Sequence, residues 1–525
     1  MSSTGVVYDQ RHELHKCLWD ETFPENPERL FAVCDRLKNR GLFERTTLIE
    51  CKPATEEQIL LCHPSSLLEK LKESRNAPDA EALENACKQF EEIYLTQDSF
   101  DCALLAVGGA IEAARAVATG KCRNAFAIIR PPGHHSYEAN PNGFCIFNNI
   151  AIAAKQVVKE FDLKRVLIVD VDIHAPQGTL RSIADSEQIL LISIHNYMGG
   201  AIWPFMKETN FDYDGNTINV PLNAPGLSDA EYLAAFQHFI IPIAIEYNPQ
   251  LILVSAGFDA GLGDPLGGQK VTPACFGHLT RMLMGVAEGK VCLILEGGYF
   301  KASFIESAEM SLRALLGDPL PLLHIHQRLC PTFIESLRCC ISHQAKRWKC
   351  CASTLNLLQQ QQTASDSEIA SMSLSIFVGQ PIFEHFERII RDRRCSTRNW
   401  FPRPRSPHSL GDVQLLSGRT SEMNAVLCVA FLLVVAFAVF LQPVNCSPVK
   451  GEWRMASKLS EGMVKKRSVY GPYKHLQGYA FMPKKSYGMW SHLPDSRREG
   501  FNFVDGGGFM KSDNENPSLF ALPVQ

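Results

Sequence analysis

The sequence has no surplus of positive charge, no apolar segment at its amino terminus and no internal repeat. Its 525 residues contain 52 Lys and Arg against 56 Asp and Glu, giving a formal net charge of −4. Charge therefore gives no indication of nucleic-acid binding. The opening residues, MSSTGVVYDQRHE, are polar, so no secretory signal is predicted there. The lack of a period of about 20–50 residues argues against a solenoid or propeller.

What the chain does contain is typical of a large globular protein with free cysteines. Hydrophobic residues make up 46% and charged residues 21% of the sequence, which is an ordinary globular composition. The 18 cysteines follow no repeating frame. We therefore expect most of them to be reduced, and we predict that the protein works in the cytoplasm, the nucleus or both.

Apolar runs that are typical of strands alternate with helical patterns from about residue 125 onward. The predicted strands cover residues 125–130, 166–172, 188–195, 217–222, 251–259 and 291–299. Helices are predicted before and between them, near residues 102–119, 148–160, 229–247 and 273–288, with a last one ending at 316. Strands alternating with helices predict an α/β fold with a parallel sheet and right-handed crossovers.

The second predicted strand and the residues after it, VLIVDVDIHAPQGT (166–179), give the first indication of a metal site. Its apolar run without polar alternation is typical of a strand covered on both faces. Asp170, Asp172 and His174 occupy every second position, so a strand would place them on one face. Burying three ionisable groups is costly unless something binds them, and carboxylates with imidazole suit zinc. The alternative is an ordinary strand end whose acids cap the next helix.

Polar residues also follow three other predicted strands. RPPGHH follows the first strand, SAGFD ends the fifth and EGGY ends the sixth. The carboxyl ends of parallel strands share one edge, where open α/β sheets bind ligands. Asp172, His174 and Asp259 would then give three metal ligands and leave a position open for water and substrate, which is the pattern of a catalytic site.

The other polar side chains predicted at this edge suit amide hydrolysis. His134 and His135 lie in a proline-containing loop and can serve as general base and general acid. Tyr299 follows a Gly-Gly turn and can donate its hydroxyl to a developing oxyanion, while Asp170 can orient a histidine. A tandem histidine on its own is more often a structural part of a capped loop, and a tyrosine after two glycines is more often a packing residue. The prediction of catalytic roles therefore rests on their joint placement at one edge of the sheet.

These segments together resemble the zinc-dependent histone deacetylases of class II: RPPGHH, GFCIFNNIAIAA, DVDIH, SAGFDAGLGDPLGG and LEGGY. The resemblance extends to CLWDETFPENPERL and covers about residues 4–320. It is strongest to a catalytic domain of the tandem-domain cytoplasmic deacetylase that acts on tubulin. It implies the arginase–deacetylase fold, an eight-stranded parallel sheet flanked by helices. It also implies hydrolysis of N6-acetyl-lysine in proteins with release of acetate.

The resemblance further implies particular site residues. The implied zinc ligands are Asp172, His174 and Asp259, and structural potassium would bind carbonyls near Asp170–His174 and Ser193. The implied catalytic residues are His134, His135, Tyr299 and Asp170. A narrow channel would hold the lysine stem, and its implied substrate-binding residues are Asp98, Gly143, Phe144, Trp203 and Leu266. Aromatic walls suit such a channel because they cover the four apolar methylenes of that stem.

One departure from the family pattern lies beside the implied metal ligands. Family members read DxDxHHG(N/Q)GT, whereas this chain reads DVDIHAPQGT, with Ala175 and Pro176 in place of His and Gly. Proline fixes φ and lacks an N–H, and alanine lacks an imidazole. We therefore expect a deacetylase that binds zinc but is slower, or weaker in metal binding, than its relatives. The alternative is a catalytically impaired scaffold that binds acetyl-lysine.

Two other activities occur on the implied fold. Polyamine deacetylases carry an acidic residue in the GDPxG loop that meets a cationic substrate, whereas Leu266 offers no charge here. Di-metal ureohydrolases lack a tyrosine with a tandem histidine of this kind. The implied partners are therefore acetylated proteins such as histone tails and tubulin, together with corepressor-type complexes, and not nucleic acid.

The carboxy-terminal third does not share the resemblance. We divide the chain into residues 1–322, the catalytic domain; 323–360, carboxy-terminal helices; 361–422, a disordered linker; and 423–525. In this last segment, the apolar run at 425–441 resembles the core of a secretion signal, and the tail after it is typical of a secreted peptide precursor. One interpretation is that two reading frames are joined in this sequence, and a membrane anchor is the alternative.

Overall fold

A sheet of eight parallel strands lies at the centre of the fold. The computed structural model describes residues 3–323, 325, 328–362, 501–504 and 508–511. The strands are β1 (Ser3–Val7), β2 (Thr47–Ile49), β3 (Cys122–Ala127), β4 (Val166–Asp170), β5 (Ile189–Asn196), β6 (Thr217–Leu222), β7 (Leu251–Ala256) and β8 (Val291–Leu295). They pair in parallel in the order β2-β1-β3-β8-β7-β4-β5-β6. The predicted eight-stranded parallel sheet is confirmed.

Helices connect the strands and cover the sheet. They are α1 (Glu28–Asn39), α2 (Glu56–Ile59), α3 (Ser65–Glu73), α4 (Ala80–Cys87), α5 (Ser99–Ala118), α6 (Asn149–Phe161), α7 (Gln177–Ser182), α8 (Asp229–Ala235), α9 (Ile241–Tyr247), α10 (Pro273–Leu283), α11 (Lys301–Leu316), α12 (Pro331–Gln344) and α13 (Lys349–Gln362). The apolar side chains of β4 show how this arrangement arises. Val166 and Ile168 belong to one hydrophobic cluster, whereas Leu167 and Val169 belong to another. Both faces of β4 are therefore covered, which explains an apolar run without polar alternation.

The strands next to the predicted site are shorter than the sequence pattern indicates. Strands β4, β7 and β8 end at Asp170, Ala256 and Leu295. Asp172 and Asp259 therefore lie in loops beyond the strands. The loops remain buried and partly apolar, so their hydrophobicity resembles that of the strands they follow.

The helix predicted near residues 229–247 is divided into α8 and α9. A π-helical turn at Phe236–Ile240 separates them, and Pro242 occupies the first turn of α9. Proline has no N–H to donate, so the α-helical hydrogen-bond series is interrupted at this position.

The two carboxy-terminal helices contribute to the same core as the sheet. Phe333 and Leu337 on α12 and Trp348 before α13 belong to the hydrophobic cluster that contains Leu167 and Val169. The division at residue 322 stays a prediction, but the helices after it pack with the catalytic part.

Little of the chain beyond α13 is described. Residues 501–504 and 508–511 pair as a two-stranded antiparallel sheet. The predicted linker at 361–422 and the apolar run at 425–441 lie outside the described residues, apart from the end of α13. Among the helices that are described, none combines the length and the apolar character needed to cross a bilayer.

Ending the chain after Gln362 should leave the catalytic part folded, because α12 and α13 remain in place. Ending it after Leu323 should lower the melting temperature, because Phe333, Leu337 and Trp348 leave the core. Burial of such a side chain contributes about 1.5–3 kcal/mol. Circular dichroism melts of both truncations test this expectation. Equal melting temperatures would show that α12 and α13 add no stability.

Candidate metal centre and active site

The carboxyl ends of β4 and β7 bring an Asp-His-Asp group together. Strands β4 and β7 are neighbours in the sheet, so the loops after them lie side by side. Nδ1 of His174 lies 3.2 Å from Oδ1 of Asp172 and 3.1 Å from Oδ2 of Asp259. One ligating atom from each residue lies within 4.8 Å of the others, and all three side chains are buried. The structure therefore assembles the predicted metal-ligand set.

Backbone groups from the adjoining loops hold the two carboxylates in position. The N–H of Ile173 donates to Oδ1 of Asp259 over 2.8 Å, and that of Gly297 donates to Oδ2 of Asp172 over 3.0 Å. A Cβ atom added at Gly297 would lie 2.5 Å from a carboxylate oxygen of both Asp172 and Asp259. A Cβ at Gly257 would lie 2.1 Å from Oδ2 of Asp172. Glycine at both positions therefore lets the backbone lie against the ligand group.

The electrostatics of this group fit a bound cation. Burial and the negative charge of Asp172 raise the pKa of Asp259 to about 7. Burial opposes the charged form of His174, but the neighbouring carboxylates outweigh it and raise the pKa of His174 to about 10. Two buried carboxylates with one imidazole form a donor set that suits a divalent metal. The residues present therefore fit a catalytic metal, and three protein ligands leave a position open.

The tandem histidine adjoins the ligand group, and its two rings have different partners. Nδ1 of His134 lies 3.1 Å from Oδ2 of Asp170, whereas Nδ1 of His135 lies 2.8 Å from Oε1 of Gln177. Despite burial, the carboxylates of Asp172 and Asp170 raise the pKa of His134 to about 10. Burial, together with the neighbouring charge of His134, holds the pKa of His135 well below its usual value. The pKa values of the two imidazoles are thus shifted in opposite directions, although their ring centroids are only 3.8 Å apart.

Tyr299 presents its hydroxyl to the same place. A Cβ added at Gly297 would lie 3.2 Å from Oη of Tyr299, and Gly297 also lies against the two ligand carboxylates. The backbone N–H of Tyr299 donates to Oδ2 of Asp264 over 2.6 Å, while the N–H of Leu266 donates to Oδ1 of Asp264 over 2.9 Å. Asp264 therefore links Tyr299 to the loop that carries Leu266, another predicted site residue.

The predicted channel residues form an apolar cluster of their own. Phe144, Trp203 and Leu266 are buried together. Trp203 lies edge-on to His135 at 4.5 Å between ring centroids, and Phe144 lies edge-on to Tyr299 at 5.6 Å. The walls thus reach His135 and Tyr299, which is the arrangement that an apolar stem would need.

Gly143 occupies a tight position in this channel. It has a φ of 52°, a conformation that favours glycine. A Cβ there would lie 2.3 Å from the Trp203 ring.

Asp98 lies immediately before α5 and is not a member of the buried apolar cluster of the channel, so its role in substrate binding stays a prediction. Asp98 is exposed, precedes α5 and accepts through its backbone oxygen from the N–H of Cys102. The carboxylate beside the channel is that of Glu91, whose Oε1 accepts from Nε1 of Trp203 over 3.1 Å. Sequence reasoning missed Glu91 because its partner is 112 positions away. It also missed the role of Asp264, although the GDPLGG segment contains it.

A buried charge network supports the loops that carry the tandem histidine and Tyr299, and sequence reasoning missed this as well. Arg130 is fully buried and donates from Nε and Nη2 to the carboxylate of Glu25, at 2.9 and 2.8 Å. Arg29 donates from Nη1 to Glu25, and from Nε to the carbonyl of Gly298 over 2.8 Å. Glu25 therefore joins the loop of the tandem histidine to the loop of Tyr299. The available signal was the charged ENPER segment beside an RPP segment.

Fold and site together define the class, a protein of the arginase–deacetylase fold with Asp, His and Asp at the carboxyl edge of the sheet. The sequence profile described as "Histone deacetylase domain" matches residues 23–315, more than half of the chain. The chain therefore belongs to the histone deacetylase family. This confirms the family inferred from the motifs. Membership implies a catalytic metal, consistent with the Asp172, His174 and Asp259 group.

Individual relatives agree with this assignment. The human protein named "Polyamine deacetylase HDAC10" is 41% identical over 369 residues, covering 69% of this chain and 54% of that protein. "Histone deacetylase clr3" of Schizosaccharomyces pombe is 36% identical, covering 67% of this chain and 53% of that protein. The crystal structure of the HDA15 HD domain matches with a TM-score of 0.62 at 32% identity, covering 68% of this chain and 99% of that one. The chain spans about half the length of these two curated relatives.

Asp172→Ala and Asp259→Ala should each lose most of the bound metal, because only two protein ligands would remain. Metal content measured by mass spectrometry after dialysis tests this. Asp98→Ala is the matched control, since Asp98 is an exposed aspartate outside the ligand group. Full metal content in both ligand variants would contradict the assignment.

Proposed function

We propose that this protein hydrolyses N6-acetyl-lysine in acetylated proteins, using one catalytic zinc ion and releasing acetate. One observation carries the proposal: the Asp172, His174 and Asp259 group, the tandem histidine and the Tyr299 hydroxyl meet where an apolar aromatic channel ends. Amide hydrolysis needs a polarised carbonyl, an activated water, an acid for the leaving amine and a donor for the oxyanion. Each requirement has a matching group here.

The metal would be held by Asp172, His174 and Asp259, and when bound it supplies Lewis-acid polarisation of the acetyl carbonyl and lowers the pKa of water. His135, whose pKa is held well below its usual value by burial and by the charge of His134, accepts a proton from the attacking water and returns it to the leaving lysine amine. His134, kept charged beside Asp170, stabilises the negative charge that develops next to it. Tyr299 donates its hydroxyl to the oxyanion.

The channel adds selectivity for the acetylated side chain. Phe144, Trp203 and Leu266 offer apolar surface to the methylenes of a lysine stem. A charged ammonium entering this buried site would lose its hydration, whereas an acetamide would not carry that cost.

Family membership supports the remaining parts of the proposal. These are structural potassium on carbonyls near Asp170–His174 and Ser193, histone tails and tubulin as substrates, corepressor-type complexes as partners, and action in the cytoplasm or nucleus. Turnover of acetylated histone and tubulin peptides by the purified full chain, lost with a chelator and restored by zinc, tests the central activity.

Polyamine deacetylation is the second candidate, because one of the most similar relatives carries that name. Leu266 favours an acetylated protein as substrate instead, because this buried apolar side chain of the channel cluster offers no charge to pair with the cationic amine of a polyamine. Side-by-side turnover of an acetyl-lysine peptide and an acetylated polyamine decides between them.

The Ala175–Pro176 turn bears on how active the enzyme is. Pro176 has φ −84° and ψ 62° at the start of α7, so its φ lies near the range that the proline ring imposes. The turn thus accommodates proline while the three ligands are together. The lost imidazole at Ala175 is the change with a chemical consequence.

Restoring that imidazole with Ala175→His should raise metal affinity or kcat/KM, by up to about 10–100-fold, the usual effect of groups that support metal ligands. Pro176→Gly alone should change little. Both single variants and the double variant are compared by zinc titration and peptide turnover. If none of these variants gains activity or metal affinity, the enzyme is fully competent with its present turn. If the parent protein binds the peptide tightly but does not hydrolyse it, the alternative of a catalytically impaired scaffold that binds acetyl-lysine is favoured.

Tyr299→Phe should keep its metal and lose about 10²–10³ in kcat, the usual effect of removing one oxyanion donor. Metal content and steady-state kinetics are measured on the same preparation. Tyr247→Phe is the control, because its hydroxyl bonds to backbone carbonyls of Val166 and Gln188 away from the site. A kcat within a few-fold of the parent would assign Tyr299 to packing.

A further inference from the structure

Glu296 is a buried glutamate beside the candidate site that takes no part in the proposed chemistry. It follows β8 directly, and only 1% of its surface is exposed. Its Oε2 atom accepts hydrogen bonds from two backbone N–H groups, that of Gly133 over 2.7 Å and that of His134 over 3.2 Å. Strands β3 and β8 are neighbours in the sheet, so the loop after β3 lies alongside the end of β8. The Glu296 side chain therefore joins the end of β8 to the loop of the tandem histidine.

The backbone at Glu296 is connected to two other parts of the site. The N–H of the next residue, Gly297, donates to Oδ2 of Asp172 over 3.0 Å. The carbonyl of Glu296 accepts from Nη2 of Arg29 over 2.8 Å, and Tyr299 follows three positions along the chain. One short segment thus contacts the histidine loop and a metal ligand, and it leads into Tyr299.

The second carboxylate oxygen indicates that Glu296 does more than fill space. Within the described part of the chain, the structure gives its Oε1 atom no hydrogen-bond partner, although the atom is buried. A buried polar atom without a partner costs free energy, so an apolar side chain would serve packing better. An apolar side chain, however, would offer no acceptor to the N–H groups of Gly133 and His134. The acceptor is therefore what the carboxylate contributes at this position.

The same carboxylate also lies close to the His134 side chain. A ring nitrogen of His134, Sγ of Cys145 and a carboxylate oxygen of Glu296 lie within 4.8 Å of one another, and all three residues are buried. The orientation of the His134 ring depends on the backbone that carries it, and Glu296 holds that backbone at Gly133 and His134. A shift of this loop would therefore move the ring relative to Asp172.

We propose that Glu296 is a positioning residue, which holds the backbone of Gly133 and His134 so that the tandem histidine faces the metal ligands. The inference rests on the proposed function and deepens it, because it adds a residue that acts through the histidines without touching the substrate. Both partners of Oε2 are backbone N–H groups, so the position needs an acceptor and not specifically a negative charge. A neutral amide oxygen should therefore serve there.

Two substitutions in the full chain test the role of the acceptor. Glu296→Ala should lower kcat per bound zinc by about 10–100-fold, because a misplacement of about 1 Å can cost that much in rate. The KM for an acetyl-lysine peptide should stay within a few-fold, since the channel walls keep their own contacts. Glu296→Gln retains an oxygen that can accept from both N–H groups, so it should recover most of the lost kcat. Zinc content and steady-state kinetics are measured on the same preparation.

Glu309→Ala is the matched control. Glu309 is also buried, with 2% of its surface exposed, but it pairs with Arg36 and Arg313. Its removal should lower the melting temperature and leave kcat per bound zinc unchanged. If it lowers kcat per bound zinc as much as Glu296→Ala does, the effect comes from lost stability and the positioning role is overturned.

Hydrogen exchange followed by mass spectrometry gives a second readout, which does not require turnover. The amides of residues 133 and 134 should exchange faster in Glu296→Ala than in the parent and regain protection in Glu296→Gln. This exchange pattern in a parent protein that hydrolyses no acetyl-lysine peptide would refute the deacetylase proposal and still support the hold on the histidine loop. Unchanged exchange in the alanine variant, or a glutamine variant as slow as the alanine variant, would overturn the inference and leave the deacetylase proposal intact.

Discussion

Three carboxylates, those of Asp170, Asp172 and Asp259, are fully buried at one edge of the sheet. Charge removed from water in this way is stable only beside compensating charge or donors. Backbone N–H groups, the imidazoles of His134 and His174 and the implied metal provide that compensation. Much of the local sequence follows from this need, including the two glycines that let the backbone approach the carboxylates.

A second buried charge network holds the loops that carry the tandem histidine and Tyr299. Glu25 receives hydrogen bonds from both Arg130 and Arg29, and Arg29 continues to the backbone beside Tyr299. Removing one member would leave the others buried without a partner, which is more costly than losing a surface pair. Asp264 also positions this site, because its carboxylate accepts hydrogen bonds from the backbone N–H groups of both Tyr299 and Leu266. The geometry of the site thus depends on groups that do not touch the substrate.

The sequence predicts the features that depend on local patterns, namely the central strands and the polar residues that follow them. Unbroken apolar runs identify β4, β7 and β8, and polar residues after each run identify the edge where His134, Asp172 and Tyr299 meet. Strand ends are harder to predict, since buried loops such as 171–176 are as apolar as the strands. Contacts across long sequence distances are hardest to predict, and the hydrogen bond between Glu91 and Trp203, 112 positions apart, is an example. The resemblance to a family supplied the residues that lie in its motifs, but not their supporting network.

Crystals of the zinc-loaded protein, grown with an acetyl-lysine peptide and measured at the zinc absorption edge, would locate the metal and the substrate together. We expect one strong anomalous peak within bonding distance of Asp172, His174 and Asp259, with the acetyl oxygen facing the metal and the Tyr299 hydroxyl. His134, Cys145 and Glu296 form another buried group that could hold an ion. A peak there alone would contradict the assignment of Asp172, His174 and Asp259 as metal ligands, and a peptide bound outside the channel would contradict the proposed substrate site.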